Sequence, residues 1–251
     1  MTDRIDALRT TSDRLERVVR ELDPARIESS AYPSEWSVAD VLSHLGSGAV
    51  IFQRRLDDGL AGRETPDDFA PSVWDAWNAK DPQAKAADGL GANRALVERL
   101  DSLTDQERAR VRLPMGPMVL DLDGAVGLRL NEVALHLWDI EVVLDPRATL
   151  GPEAVEYIVD NLEMIARFTG KPTGSEHSVT VRTDGPRRDA RITLDADSVS
   201  LGSSDPVGTP DLELPAEAFI RLVYGRLDPE HTPDHRGPAD LDELRRVFPG
   251  L

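Results

Sequence analysis

Along the first half of the chain, apolar positions recur at three-, four- and seven-residue intervals. From Asp3 to Leu22 the set Ile5, Leu8, Leu15, Val18, Val19 and Leu22 marks one face of an amphipathic helix. Asp23-Pro24 stops it. After a loop containing Tyr32-Pro33, Ser37 is placed to cap a second helix, and Asp40 three residues on completes a weak capping box. That helix runs to about Leu60, with Val38, Val41, Leu42, Leu45, Ile51, Phe52 and Leu56 facing inward. A third helical stretch covers Ser72 to Leu103, with possible breaks at Asp81-Pro82 or at Gly89 and Gly91. The connection LPMGPM follows, and a fourth helix spans Leu122 to Leu144, ending before Asp145-Pro146. Four helices with one apolar stripe each predict an up-and-down four-helix bundle.

Beyond Pro146 the period changes. Ala154 to Phe168 keeps a helical pattern, with Pro152 in its first turn and Gly170 after it. Short β-rich runs come next: Val179–Val181, Ala190–Leu194 and Val199–Leu201, separated by turn residues such as Asp184-Gly185. These predict a small antiparallel sheet. Helix returns over Pro215–Arg226 and Leu241–Phe248, so the second half reads as α+β. The domain boundary falls between Asp145 and Gly151, giving a helical domain over 1–147 and an α+β domain over 148–251.

Composition narrows the possible partners. The 29 Lys and Arg against 46 Asp and Glu give a net charge of −17, which repels nucleic acid and anionic membrane surfaces. The densest basic run is only Arg187-Arg188, followed by Asp189, and aromatics at 5% offer little for base stacking. There is no cysteine, so disulfides, zinc–thiolate sites and a cysteine nucleophile are all excluded. A polar start, MTDRIDALRT, and the lack of a long apolar run point to a cytoplasmic protein without a membrane span.

The candidate chemistry lies in the histidines. His44 sits among inward positions of the second helix, in WSVADVLSHL. His136 lies in the fourth, in NEVALHLWDI, four residues after Glu132 and three before Asp139. The i, i+4 spacing puts Glu132 and His136 on one helix face, separated by roughly 6 Å along the axis. Two imidazoles and one carboxylate from facing helices can form a metal site with open positions. Asp139 would then hydrogen-bond a ligand or carry a proton. On spacing alone, a hydrogen-bonded core histidine and a surface Glu–His pair explain the same residues. His231 and His235, in HTPDH, are interrupted by Pro233 and read as loop histidines; His177 opens a strand with no partner signal. Trp36, Trp74, Trp77 and Trp138 read as core or cleft wall, Trp138 on a different face from the ligands.

WSVADVLSHL resembles the second-helix motif of DinB-like metal-binding bundles, and RLNEVALHLWDIEV the fourth-helix motif of the mycothiol-dependent maleylpyruvate isomerase family. LPAEAFIRLVYGRLDP is similar to that family's sterol-carrier-like second domain, so the resemblance runs through nearly the whole chain. It implies a divalent metal, usually zinc, on His44, Glu132 and His136, with Asp139 matching an Asp three positions after the second ligand histidine. It also implies a functional arginine in the second domain, carried to Arg226, with Arg221 the other candidate.

Since the chain has no thiol of its own, the resemblance implies mycothiol as the sulfur source. The expected activity is thiol transfer to, or cis–trans isomerisation of, a small electrophile by a monomer or homodimer. Asp139 or a metal-bound water would take the thiol proton, and Arg226 would grip a carboxylate. A metal-dependent hydrolase and a non-catalytic ligand-binding protein are the alternatives. The residues do not separate isomerase from transferase, nor zinc from nickel or iron.

Overall fold

A computed structural model describes residues 3–115, 118–206 and 208–250. The chain divides into two compact units, Met1–Ala148 and Thr149–Leu251.

The first unit is helical. α1 (Arg4–Arg20) is capped by the Asp3 carboxylate, which accepts from the Ile5 amide. Asp23 and Pro24 end that run and at once start α2 (Pro24–Glu28). α3 (Val38–Leu60) opens on a full capping box: the Ser37 side chain accepts from the Asp40 amide, and the Asp40 carboxylate accepts from Ser37 N. α4 (Phe69–Asn78) and α5 (Pro82–Asp101) follow, then α6 (Asp105–Arg110). A short hairpin, β1 (Leu113–Met115) with β2 (Met118–Leu120), leads into α7 (Leu122–Glu141). Part of the expected LPMGPM connection, residues 116 and 117, lies outside the described residues.

The predicted helical character holds; among the described residues this unit has seven helices, of which α1, α3, α5 and α7 are the long ones. The added starts are local. Asp81 caps α5 with Pro82 in its first turn, so the third stretch breaks there, whereas Gly89 and Gly91 stay inside α5. Thr104 and Glu107 form a capping box that starts α6. The long helices pack α3 on α5, α1 on α7, α1 on α5 and α3 on α7. The tightest crossing is α3 on α5: a Cβ on Gly46 would lie 2.8 Å from the Gly89 Cα, and one on Gly89 would lie 2.6 Å from the Leu42 carbonyl oxygen. Both positions therefore require glycine for the backbones to approach.

The second unit contains α8 (Pro152–Ile158), a 3₁₀ turn (Val159–Asn161) and α9 (Leu162–Thr169). Strands β3 (His177–Asp184), β4 (Arg188–Leu194), β5 (Val199–Ser203) and β6 (Leu212–Pro215) precede α10 (Ala216–Val223) and α11 (Leu241–Val247). The sheet order is β5-β4-β3-β6. Its one buried face aligns Val179 with Ile192, Ile192 with Leu201 and Val181 with Leu212. α9 packs on β5, and α10 packs on β3 and β6.

The purely antiparallel sheet is corrected here: β6 pairs with β3 in parallel, so the sheet is mixed. The chain leaves β5 at one edge and returns at the other, a non-local choice that alternation within LELP does not encode. The expected helix is corrected at both ends. Pro215 belongs to β6, opposite Asp184, and α10 stops at Val223. Its end is a Schellman turn: the Arg226 amide donates to Arg221 O at 2.7 Å and the Gly225 amide to Leu222 O at 3.0 Å. Gly225 supplies the required positive φ of 69°, and a Cβ there would lie 2.2 Å from Gly250 N. Among the described residues no helix is long and apolar enough to cross a membrane.

Candidate metal centre

His44 and His136 come from two long helices, each with a side-chain cap at its start. The Ser37 box fixes where α3 begins, placing His44 on its second turn among buried Val41, Leu45 and Ala49. Asp121 accepts from Gly124 N at 2.9 Å and fixes α7, which carries Glu132 and His136 one turn apart. The packing of α3 on α7 brings the three side chains together, one donor atom from each lying within 4.8 Å of the others. His44 Nε2 is 2.9 Å from Glu132 Oε2, and His136 Nε2 is 3.7 Å from the same oxygen.

The second nitrogen of His136 is engaged behind the cluster. Its Nδ1 lies 2.8 Å from Asp139 Oδ2, and Asp139 is fully buried. The carboxylate fixes the ring so that Nε2 faces Glu132, the usual carboxylate–histidine arrangement behind a metal ligand. The loop before α3 is tied to this corner through the Tyr32 amide, which donates to Asp139 O at 3.0 Å. It delivers Trp36, whose ring stacks on His136 with centroids 6.0 Å apart and lies 5.4 Å from His44. Trp36 is thus the wall of the site, while Trp138 is in the core, its Nε1 donating to Ala148 O at 2.9 Å.

Glu132 gives the cluster one ionised oxygen donor. Burial opposes the charge on Glu132, but the His44 hydrogen bond and the electrostatic influence of His136, His44 and Arg129 outweigh it and hold the carboxyl at about 2. The Glu132 side chain is 47% exposed, so the cluster opens to solvent on one side. A tetrahedral ion with bonds of about 2.0–2.2 Å separates its donors by about 3.4 Å. The observed 2.9 and 3.7 Å separations bracket that spacing. Two imidazole nitrogens and one carboxylate oxygen also fit the ligand preference of zinc and its neighbours.

Both candidate arginines of the second unit have partners. Arg221 is buried and makes a two-pronged pair with Glu217, at 2.7 and 2.8 Å, while donating to His231 O at 2.8 Å. Its guanidinium is committed to tying α10 to the following loop. Arg226, half-buried as the last residue of the Schellman turn, donates from Nη1 to Tyr224 O at 3.1 Å. His231 pairs through Nδ1 with Asp228, His235 is exposed, and His177 lies 3.3 Å from Glu243, none of them near another histidine ligand set among the described residues.

Two residues of this region escaped the sequence reading. Arg129, one turn before Glu132, is buried and donates from Nη2 to Leu45 O and Asn93 Oδ1, both at 2.6 Å. Asn93, on α5, is oriented by donating from Nδ2 to Gly89 O at 2.8 Å. Neither stands out in sequence, because an Arg between leucines and an Asn between Ala92 and Arg94 both read as exposed helix positions.

Fold and site together define a two-unit protein whose helical part holds a His–Glu–His donor cluster facing solvent between two long helices. The chain belongs to the mycothiol maleylpyruvate isomerase N-terminal domain family, whose model matches residues 8–141. It is also similar in fold to two crystal structures of the mycothiol-dependent maleylpyruvate isomerase, one of them a histidine-to-alanine mutant. Each shares 13% sequence identity with this chain at a TM-score of 0.66, covering 89% of this chain and 88% of that one. No curated protein matches the chain.

Proposed function

We propose that this protein is a metal-dependent enzyme of mycothiol chemistry, catalysing cis–trans isomerisation of, or thiol transfer to, a small electrophile. The observation that carries the reading is the convergence of His44 Nε2, Glu132 Oε2 and His136 Nε2 on one solvent-facing point. Family membership supports the mycothiol part, since the matched family and the two similar structures carry that thiol in their names. The domain reading that goes with it is a DinB-like four-helix bundle over 1–147 and a sterol-carrier-like unit over 148–251, in a cytoplasmic protein.

A divalent ion, zinc by preference of the donor set, would lower the pKa of a bound thiol and so supply a thiolate near neutral pH. Three protein donors leave a coordination place for it. With no cysteine in the chain, the thiol must come from a small molecule. Glu132 contributes the one negative donor and is already ionised at neutral pH. Asp139 holds His136 in the tautomer that presents Nε2; its complete burial behind the ring favours this positioning role over that of proton acceptor. Trp36 covers one side of the imidazoles and limits the approach of water. The family likeness carries the gripping of a carboxylate of substrate or thiol to Arg226, with Arg221 the other candidate. Addition of sulfur to an activated double bond, rotation and elimination gives isomerisation; retention of the sulfur gives transfer.

The test is elemental analysis joined to a turnover assay. Purified protein is expected to hold close to one transition-metal ion per chain, lost in His44→Ala, and to consume maleylpyruvate or a related electrophile only when mycothiol is added. Metal-free protein that is indifferent to His44→Ala overturns the metal reading; turnover without any thiol overturns the thiol reading and leaves hydrolysis.

A further inference from the structure

The Arg129 guanidinium is the unusual group of the helical unit. It is 5% exposed, yet among the described residues no carboxylate lies within ion-pair distance of it. Its Nη2 meets two neutral acceptors, Leu45 O and Asn93 Oδ1, and its Nε has no acceptor at all. A buried, unpaired cation is costly, and replacing such a group by neutral residues often costs nothing or stabilises. Bridging α3 to α5 does not require the charge, since a neutral amide can donate to the same carbonyl.

Position supplies the reason. Arg129 is three residues before Glu132 on α7, so it lies about one turn below the donor cluster on the same side of the helix. On α3 it meets the carbonyl of Leu45, the residue next to His44, and a Cβ added to Gly48, one turn past His44, would lie 2.9 Å from Nη1. The guanidinium therefore forms the layer directly beneath the donors. Burial draws the Arg129 pKa down to about 10, so the guanidinium still carries its charge at neutral pH.

We infer that Arg129 sets the charge of the centre: it weakens capture of the cation and strengthens capture of an anionic ligand, such as a thiolate, at the remaining coordination place. The inference rests on the metal reading above. The divalent ion, Glu132 and the buried Asp139 carboxylate behind His136 sum to zero; the buried guanidinium raises this to +1, and being buried it is screened less than a surface charge. A neutral ligand gains nothing from that surplus, whereas an anion does. Arg129 is thus a positioning residue for charge rather than a group that touches the reacting atoms.

The experiment compares the full chain with Arg129→Gln, which keeps an amide donor, and Arg129→Lys, which keeps the charge. Co(II) affinity is measured by chelator competition, and the Co(II)-loaded proteins are titrated with azide as anionic probe and imidazole as neutral probe, read by the visible Co(II) spectrum. Arg129→Gln is expected to bind Co(II) more tightly and azide more weakly, each on the order of tenfold, with imidazole unchanged. Arg129→Lys should remain within about threefold of the parent in all three. A purely structural role would weaken metal and both probes together, and that result, or no change in either affinity, overturns the inference while leaving the metal reading intact. Should Arg129→Gln fail to fold, a several-fold loss of azide affinity in a folded Arg129→Lys overturns it equally. A parent chain that takes up no Co(II) overturns both readings.

Discussion

At the scale of single residues, the site depends on how firmly each donor is aimed. Asp139 has no solvent to fall back on and fixes His136 through one 2.8 Å contact. Asp139→Asn keeps the shape but loses the negative charge that makes His136 a stronger donor. Under the proposed function it is expected to lower metal affinity by about 10- to 100-fold with little change in the circular dichroism spectrum, measured by chelator competition. The site was legible in sequence to the extent that it obeys helical period: Glu132, His136 and Asp139 share a face at any register of α7. That His44 would meet them depended on the resemblance, because nothing in WSVADVLSHL says which helix its inward face will touch. Arg129 was not legible at all. Its burial follows from Gly48 and Asn93 on two other helices, information that its own neighbours Leu128 and Leu130 do not contain.

At the scale of elements, the spacing between α3 and α5 decides whether Asn93 can reach Arg129 and whether the backbone of α3 lies close enough to α7. Gly89→Ala would push a methyl group to 2.6 Å from the Leu42 carbonyl oxygen, forcing the helices apart. A loss of about 1–3 kcal/mol in urea unfolding is expected. Gly91, two residues on, has open space where a Cβ would point, so Gly91→Ala should stabilise by about 0.5–1 kcal/mol through helix propensity alone. Equal effects at the two glycines would refute the close-crossing account. Several element boundaries were readable from the side chains that write them, Ser37 with Asp40, Asp81 with Pro82 and the Asp23-Pro24 stop, while the Thr104–Glu107 box that starts α6 was not. The parallel pairing of β6 and the early end of α10 were not. The first is settled by which sheet edge the returning chain finds. The second follows from Gly225 packing against Gly250, twenty-five positions downstream.

At the scale of the molecule, the net charge of −17 works against any anionic substrate that approaches from a distance. Under the proposed function, kcat/KM for a carboxylate-bearing electrophile is expected to rise as ionic strength is raised from about 0.01 M to 0.15 M, since screening shortens the reach of that repulsion from about 30 Å to about 8 Å. A neutral electrophile should show no such rise, and a fall for the anion would mean that a local positive field, not the overall charge, governs encounter. The stacking of Trp36 on His136 has a practical consequence for all of these measurements. Of four indoles in the chain, one lies against both imidazoles, so the protein carries a built-in optical reporter of whatever occupies the cluster. Paramagnetic Co(II) should dim its emission in step with loading, and Trp36→Phe should erase that response while the light from the remaining three stays constant.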